Sequence, residues 1–91
     1  MLGDMSSLTD RIVAAKFADA CAKARQHLRA EMEGLGLHAA DGWMIAETVR
    51  AVQGGSEVVM RPSHLYYDPP AGVECIVAID LVSEIDASCT P

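Results

Sequence analysis

The stretch GWMIAETVRAVQGGSEVVM, residues 42–60, decides the fold because its apolar pattern suits either a helix or a β-hairpin. As a helix it would begin at Asp41, end at Gly54 and bury Ile45, Val49 and Val52. As a hairpin it would form two strands around a short glycine turn. The two alternatives predict different fold classes, so the choice between them comes first.

We favour the hairpin, with Gly54-Gly55 as a two-residue turn and residue 53 paired with residue 56. This register gives both strands one consistent alternation of faces. One face carries Ile45, Val49, Ala51, Val58 and Met60, and the other carries Thr48, Arg50, Glu57 and Arg61. A single register that satisfies both strands is typical of a hairpin.

A third strand is predicted at VECIVAIDLV, residues 73–82, where side chains alternate with a period of two. Both of its faces are apolar, with the odd-numbered residues forming the more uniform one. The second face of the sheet also receives Met44, Ala46, Val52 and Val59. That face is too apolar for solvent, and we expect a homodimer formed through the sheet or its edge to cover it.

An N-terminal helix is predicted from Ser7, where Ser7-Leu-Thr-Asp10 matches a capping box, to the glycines Gly34 and Gly36. It would be about 26 residues and about 39 Å long. Its apolar stripe comprises Val13, Phe17, Ala20, Cys21, Ala24, Leu28, Met32 and Leu35. A helix of this length overhangs its sheet and leaves part of the stripe for a second subunit.

The predicted fold is therefore α+β: one long N-terminal helix packed on a three-stranded antiparallel meander, α-β-β-β, in a homodimer. Residues 1–91 form a single small domain, with residues 1–6 and 83–91 frayed. A chain of this length buries only about 60 to 65 per cent of its unfolded surface, so its core is thin and oligomerisation would support it.

The stretch RPSHLYYDPP, residues 61–70, concentrates prolines, tyrosines and a histidine. In one interpretation Pro62 produces a bulge that reverses the alternation. Leu65 and Tyr67 then face the core, His64 points away, and residues 68–72 close a turn. This stretch would then redirect a strand and hold no site, and the five-residue turn favours this outcome.

In the other interpretation the alternation continues past Pro62 and His64 shares the inner face with Glu47. A carboxylate on an apolar face needs a partner, and a diagonal cross-strand neighbour is within reach of a long side chain. Trp43 would then form a wall and Tyr66 the lip of a small pocket suited to a ligand or to proton transfer. Glu47 and His64 are the only candidate catalytic residues.

Composition restricts the partners. The formal charge is −6, which argues against binding nucleic acid, although basic residues cluster between residues 11 and 29. His27, His38 and His64 lack the spacing of a metal site, so no metal and no cofactor is expected. The apolar run CIVAI is too short to cross a membrane.

Cys21, Cys75 and Cys89 are an odd number of cysteines without a C-x-x-C spacing, and we interpret them as reduced thiols. The expected compartment is therefore the cytoplasm, in the absence of an apolar leader. Without a catalytic motif, the predicted function is a non-enzymatic interaction module, homodimeric through its sheet face or helix overhang. The alternative is a small-molecule binder or simple acid-base enzyme built on Glu47 and His64.

Overall fold

The computed structural model describes residues 3–90 as one helix and a four-stranded antiparallel sheet. The elements are α1 (Gly3–Gly34), a 3-10 turn (Ala39–Asp41), β1 (Met44–Val52), β2 (Gly55–Ser63), β3 (Cys75–Asp80) and β4 (Ile85–Cys89). The strands follow the order β1-β2-β3-β4, which is a meander. The α+β class is confirmed, but the sheet has a fourth strand that we did not predict.

The fourth strand lies where a frayed tail was expected. Asp80 reverses the chain, because its Oδ1 accepts hydrogen bonds from the amides of Val82 and Glu84, both at 2.9 Å. Leu81 and Val82, predicted to continue β3, therefore form the tip of this turn. After it, Ile85 and Cys89 place their side chains against the core. The turn makes β4 possible despite its polar composition.

Cys75 and Cys89 form a disulfide, so the interpretation of the cysteines as reduced thiols is wrong for these two. They are direct cross-strand partners in the β3–β4 pairing. Their separation of 14 residues carried no recognisable signal, and only the turn at Asp80 brings them together. Cys21 is a free thiol buried in the core.

The helix begins at Gly3, not at Ser7, and its 32 residues span about 48 Å. Residues 3–6, expected to fray, are therefore helical, and residues 1 and 2 lie outside the described chain. The predicted stripe is confirmed where it meets the sheet, at Cys21, Ala24, Leu28 and Met32. Leu8 and Ile12 are exposed, so the first part of α1 overhangs the sheet as expected.

The hairpin is confirmed, but its turn is Gln53-Gly54 and its register places Val52 opposite Gly55. The predicted pairing of 53 with 56 was shifted by two positions, which left every side chain on its predicted face. Glycine is needed at position 55 for a steric reason, because a Cβ there would lie 2.1 Å from the carbonyl oxygen of Ile79 on β3. The glycine pair thus serves both the turn and the close approach of the next strand.

The core lies between α1 and the sheet face of Val58, Met60, Cys75 and Val77. The helix packs against β2, β3 and β4, whereas β1 lies at the edge of the sheet without comparable helix contact. On the opposite sheet face Val59 is only 4% exposed, whereas Met44 and Val52 are exposed. Tyr67 and Pro69 of the β2–β3 loop line the cleft that includes Val59.

Candidate functional site

The structure brings together three of the four residues that the sequence indicated as a site. The Trp43 and His64 rings lie 5.0 Å apart between centroids, and the His64 and Tyr66 rings lie 6.0 Å apart. Glu47 is not part of this group, because its carboxylate binds Arg25 of α1. The predicted Glu47–His64 pair therefore does not form a hydrogen bond in this structure.

The reason lies in where β2 ends. The β1–β2 pairing continues without an extra residue to Met44 opposite Ser63, so Pro62 produces no bulge. Pro62 is buried on the helix side, opposite Ile45, as unbroken alternation requires. The strand stops at Ser63, and Glu47 lies opposite Met60, four residues before His64, so the two side chains are not cross-strand neighbours.

Pro62 also explains why the β2–β3 pairing is shorter than the β1–β2 pairing. The last β2–β3 pair is Met60 with Cys75. The backbone groups of successive residues point alternately toward the two neighbouring strands. After Met60, Pro62 is therefore the next residue of β2 whose backbone nitrogen points toward β3. Proline has no N–H, and the ladder toward β3 ends there. The chain is then free to form the long loop that carries the tyrosines.

His64 holds this loop through both of its ring nitrogens. Its Nε2–H donates to the carbonyl oxygen of Asp41 at 2.7 Å, and its Nδ1 accepts the amide N–H of Tyr66 at 3.0 Å. Accepting at Nδ1 and donating at Nε2 requires the neutral tautomer protonated on Nε2. With both nitrogens hydrogen bonded, His64 connects the loop to the 3-10 turn.

Gly42 allows His64 to approach the 3-10 turn. Its φ of 95° is in the left-handed region, and a Cβ at this position would lie 2.9 Å from the His64 Nε2. Any larger residue would meet both a steric and a backbone penalty. Gly42 therefore belongs to the same local arrangement as His64.

Glu47 and Arg25 form a two-point ion pair between β1 and α1. Arg25 Nε donates to Oε2 at 2.7 Å and Arg25 Nη2 donates to Oε1 at 3.0 Å. These hydrogen bonds lower the pKa of Glu47 against the opposing effect of burial, and they raise the pKa of Arg25. A carboxylate stabilised in its charged form is poorly suited to act as a general base near neutral pH.

An exposed surface, here called the aromatic patch, consists of Met44, Leu65, Tyr66 and Tyr67. Leu65 is 86% exposed although its side chain is apolar, and Tyr66 is 83% exposed although it carries a large aromatic ring. The Tyr67 ring lies 4.8 Å from the His64 ring between centroids. Leu65 and Tyr67 do not enter the core, so this part of the bulge interpretation is also wrong.

Two clefts flank the aromatic patch and share His64 and Tyr67. One, of about 450 Å³, lies among Asp41, Met44, Leu65 and Tyr66. The other, of about 370 Å³, lies over Thr48 and Val59 on the open sheet face. Its two arginines are paired, Arg50 with Glu57 and Arg61 with Glu74. The second cleft is therefore lined by two arginines that are paired with glutamates and by the carboxylate of Asp68.

Among residues 3–90, no three histidine, cysteine or acidic side chains are grouped in a way that could hold a metal ion. Nor does the described chain contain a helix with the length and apolar character needed to span a membrane. Comparisons with protein-family models, with curated proteins and with solved structures produced no match. Function must therefore be argued from the geometry of this chain.

Sequence reasoning found Trp43, His64 and Tyr66 but overlooked three contributors: Arg25, Leu65 and Tyr67. Arg25 was counted only among the basic residues between residues 11 and 29, because no local signal shows that it lies beside β1. The consecutive Leu65-Tyr66-Tyr67 was visible in the sequence. Three large side chains in a row cannot all face one side of a strand, and this could have indicated an exposed loop.

Proposed function

We propose that this protein is a non-enzymatic interaction module that binds a protein partner through the aromatic patch. The observation that carries this proposal is the exposure of Leu65 and Tyr66 beside Met44 and Tyr67. Contiguous exposed apolar groups of this kind are typical of binding surfaces. Tyrosine suits such a surface because it contributes a large contact area with little loss of side-chain freedom.

The support beneath the patch adds to this argument. His64 connects the loop at Tyr66 to the 3-10 turn at Asp41, and Trp43 packs beside it. A loop fixed at its base loses less conformational freedom when a partner binds. The same hydrogen bonds occupy the two nitrogens that an acid-base enzyme would need, so the geometry favours binding over catalysis.

A test is to select peptides that bind the full chain from a displayed random library. Their affinity can be measured from the fluorescence of Trp43, which is the only tryptophan and lies beside the patch. We expect selected peptides to bind the wild type and to lose at least about 30-fold in affinity to Leu65→Ser or Tyr66→Ser, as for interface hot spots. Circular dichroism checks that each variant remains folded.

Leu81→Ser is the matched control, because Leu81 is 84% exposed but lies in the β3–β4 turn at the opposite end of the sheet. Its peptide affinity should equal that of the wild type. Equal binding to the wild type and to Leu65→Ser, or a selection that yields no binding peptide, would contradict the proposed surface.

A further inference from the structure

The outer edge of β1 carries a row of backbone groups that no strand within residues 3–90 pairs with. In a two-residue hairpin the closing pair, here Val52 and Gly55, is hydrogen bonded, and bonding then alternates along the strands. The even-numbered residues of β1 therefore bond to β2. The outward amides and carbonyls belong to Ile45, Glu47, Val49 and Ala51.

An independent contact agrees with this assignment. The amide of Leu81 donates to the carbonyl oxygen of Gly54 at 3.1 Å, so the even-numbered positions from Gly54 along β2 bond toward β3. The odd-numbered positions of β2 must then bond toward β1. Odd residues of β2 pair with even residues of β1, so the backbone amides and carbonyls of the odd residues of β1 point outward, away from β2.

This edge has few of the features that normally prevent strands from pairing between molecules. β1 is nine residues long and contains no proline, lysine or glycine. The helix packs mainly on the other strands and reaches β1 through the Arg25–Glu47 ion pair, and Val49 near the centre of β1 is 73% exposed. The opposite edge, β4, has only five residues and is closed against β3 by the disulfide. Natural proteins protect exposed edges, so a long unprotected edge is a candidate pairing surface.

The charges of β1 are also compatible with pairing. Its acidic residue, Glu47, is bound by Arg25, and its basic residue, Arg50, is bound by Glu57. Each charge is thus neutralised within its own chain. A second strand can approach β1 without strong repulsion between unpaired charges.

We propose that β1 pairs antiparallel with β1 of a second copy of this chain, joining two four-stranded sheets into one of eight strands. A two-fold axis makes such an edge self-complementary, because each chain offers the same donors and acceptors. Odd-numbered residues, whose backbone amides and carbonyls point outward, must lie opposite odd-numbered residues of the second copy. Placing Glu47 opposite Glu47 of the second copy would set like charges together, whereas Val49 opposite Val49 sets Glu47 opposite Ala51.

Sedimentation velocity over a range of concentrations tests the pairing. We expect the wild type to dimerise and Val49→Pro to remain monomeric, because proline removes an amide that faces outward and has no strand partner within residues 3–90. Val49→Thr retains the amide and should dimerise. Ala87→Pro is the control on the β4 edge, where position 87 also faces outward, and it should dimerise as well.

A covalent readout covers the case in which Val49→Pro fails to fold. In the proposed register the two Val49 Cα atoms would be about 5.5 Å apart, within the range of a disulfide. Val49→Cys should therefore form a disulfide-linked dimer on oxidation, whereas Val52→Cys, which faces residue 46 of the second copy, should not.

A wild type that stays monomeric, a dimer that survives Val49→Pro, or a dimer lost in Ala87→Pro would each overturn the inference. The same holds if Val49→Cys fails to cross-link while the protein is dimeric. None of these results depends on peptide binding at the aromatic patch, so the two proposals can fail separately.

Discussion

Val58 of β2 and Val49 of β1 are the same residue type, are paired across the hairpin and point to the same face of the sheet. Val58 is 6% exposed, whereas Val49 is 73% exposed. The difference arises because α1 packs on β2, β3 and β4 and leaves β1 beside it. Alternation determines which face a side chain occupies, but only the position of the helix determines whether that face is buried.

The three helix-covered strands therefore act as the stable part of the domain, and β1 with the aromatic patch acts as its accessible part. Recognition surfaces are commonly placed on such exposed elements, supported by a more rigid scaffold. Perturbing one of these parts and comparing the effect with that on the other tests this division.

The largest effect is expected from the disulfide on the covered side. Cys89→Ser removes a cross-link that closes 14 residues, and we expect unfolding to become easier by about 3 kcal/mol. Urea denaturation of the wild type with and without reductant should give a similar difference. Three titratable thiols in the unfolded, unreduced protein, instead of one from Cys21, would show that the disulfide is absent.

The valine pair gives the most direct test of the comparison. Val58→Ala should reduce the free energy of unfolding by about 2 kcal/mol, because it removes buried apolar atoms beneath α1. Val49→Ala should change it by less than about 0.5 kcal/mol. Both variants are measured by urea denaturation at a protein concentration at which sedimentation shows only the monomer. Similar losses at the two positions would mean that β1 is as well covered as β2.

A smaller effect is expected at Glu47–Arg25, the ion pair that links the covered and accessible parts. Both side chains are more than a third exposed, so solvent screening limits the loss in Glu47→Gln to about 1 kcal/mol or less. Salt should reduce the difference further. A loss well above this value would indicate that the pair is more deeply buried in solution.

The pH dependence of this difference has a defined sign. Because the folded pKa of Glu47 lies below its unfolded value of about 4.3, the stabilisation is complete above that pH. It is lost as the pH falls through the folded pKa. Thermal unfolding of the wild type and Glu47→Gln should therefore differ at pH 7 and converge in acid, and a constant difference would contradict the assignment.

Much of the local structure could be predicted because it depends on short-range patterns. The helical stripe from Cys21 to Met32 and the faces of the hairpin follow from side-chain periodicity, which needs no knowledge of distant residues. The start of the helix at Gly3 was missed, because the motif of residues 7–10 lies inside the helix but has the same residue pattern as a capping box at a helix N-terminus. The fourth strand was missed because a polar, short edge strand has a weak pattern.

The site was predicted only in part for the same reason. Trp43, His64 and Tyr66 flank one end of the hairpin, so correct pairing of two neighbouring strands is enough to bring them together. Glu47 was assigned to His64 because the predicted register was shifted by two positions, which placed Glu47 opposite Pro62 when it in fact lies opposite Met60. Its actual partner, Arg25, lies 22 residues away on the helix, and no pattern in the sequence connects them.

The sequence by itself thus determined the long helix, the hairpin and the faces of its strands, because these depend on repeats of two or 3.6 residues. Only the tertiary structure decided which strands α1 covers, which cysteines pair and which partner Glu47 receives. Those outcomes depend on where whole elements lie relative to one another. The same placement leaves the edge of β1 and the aromatic patch exposed, although their residues resemble those of the core.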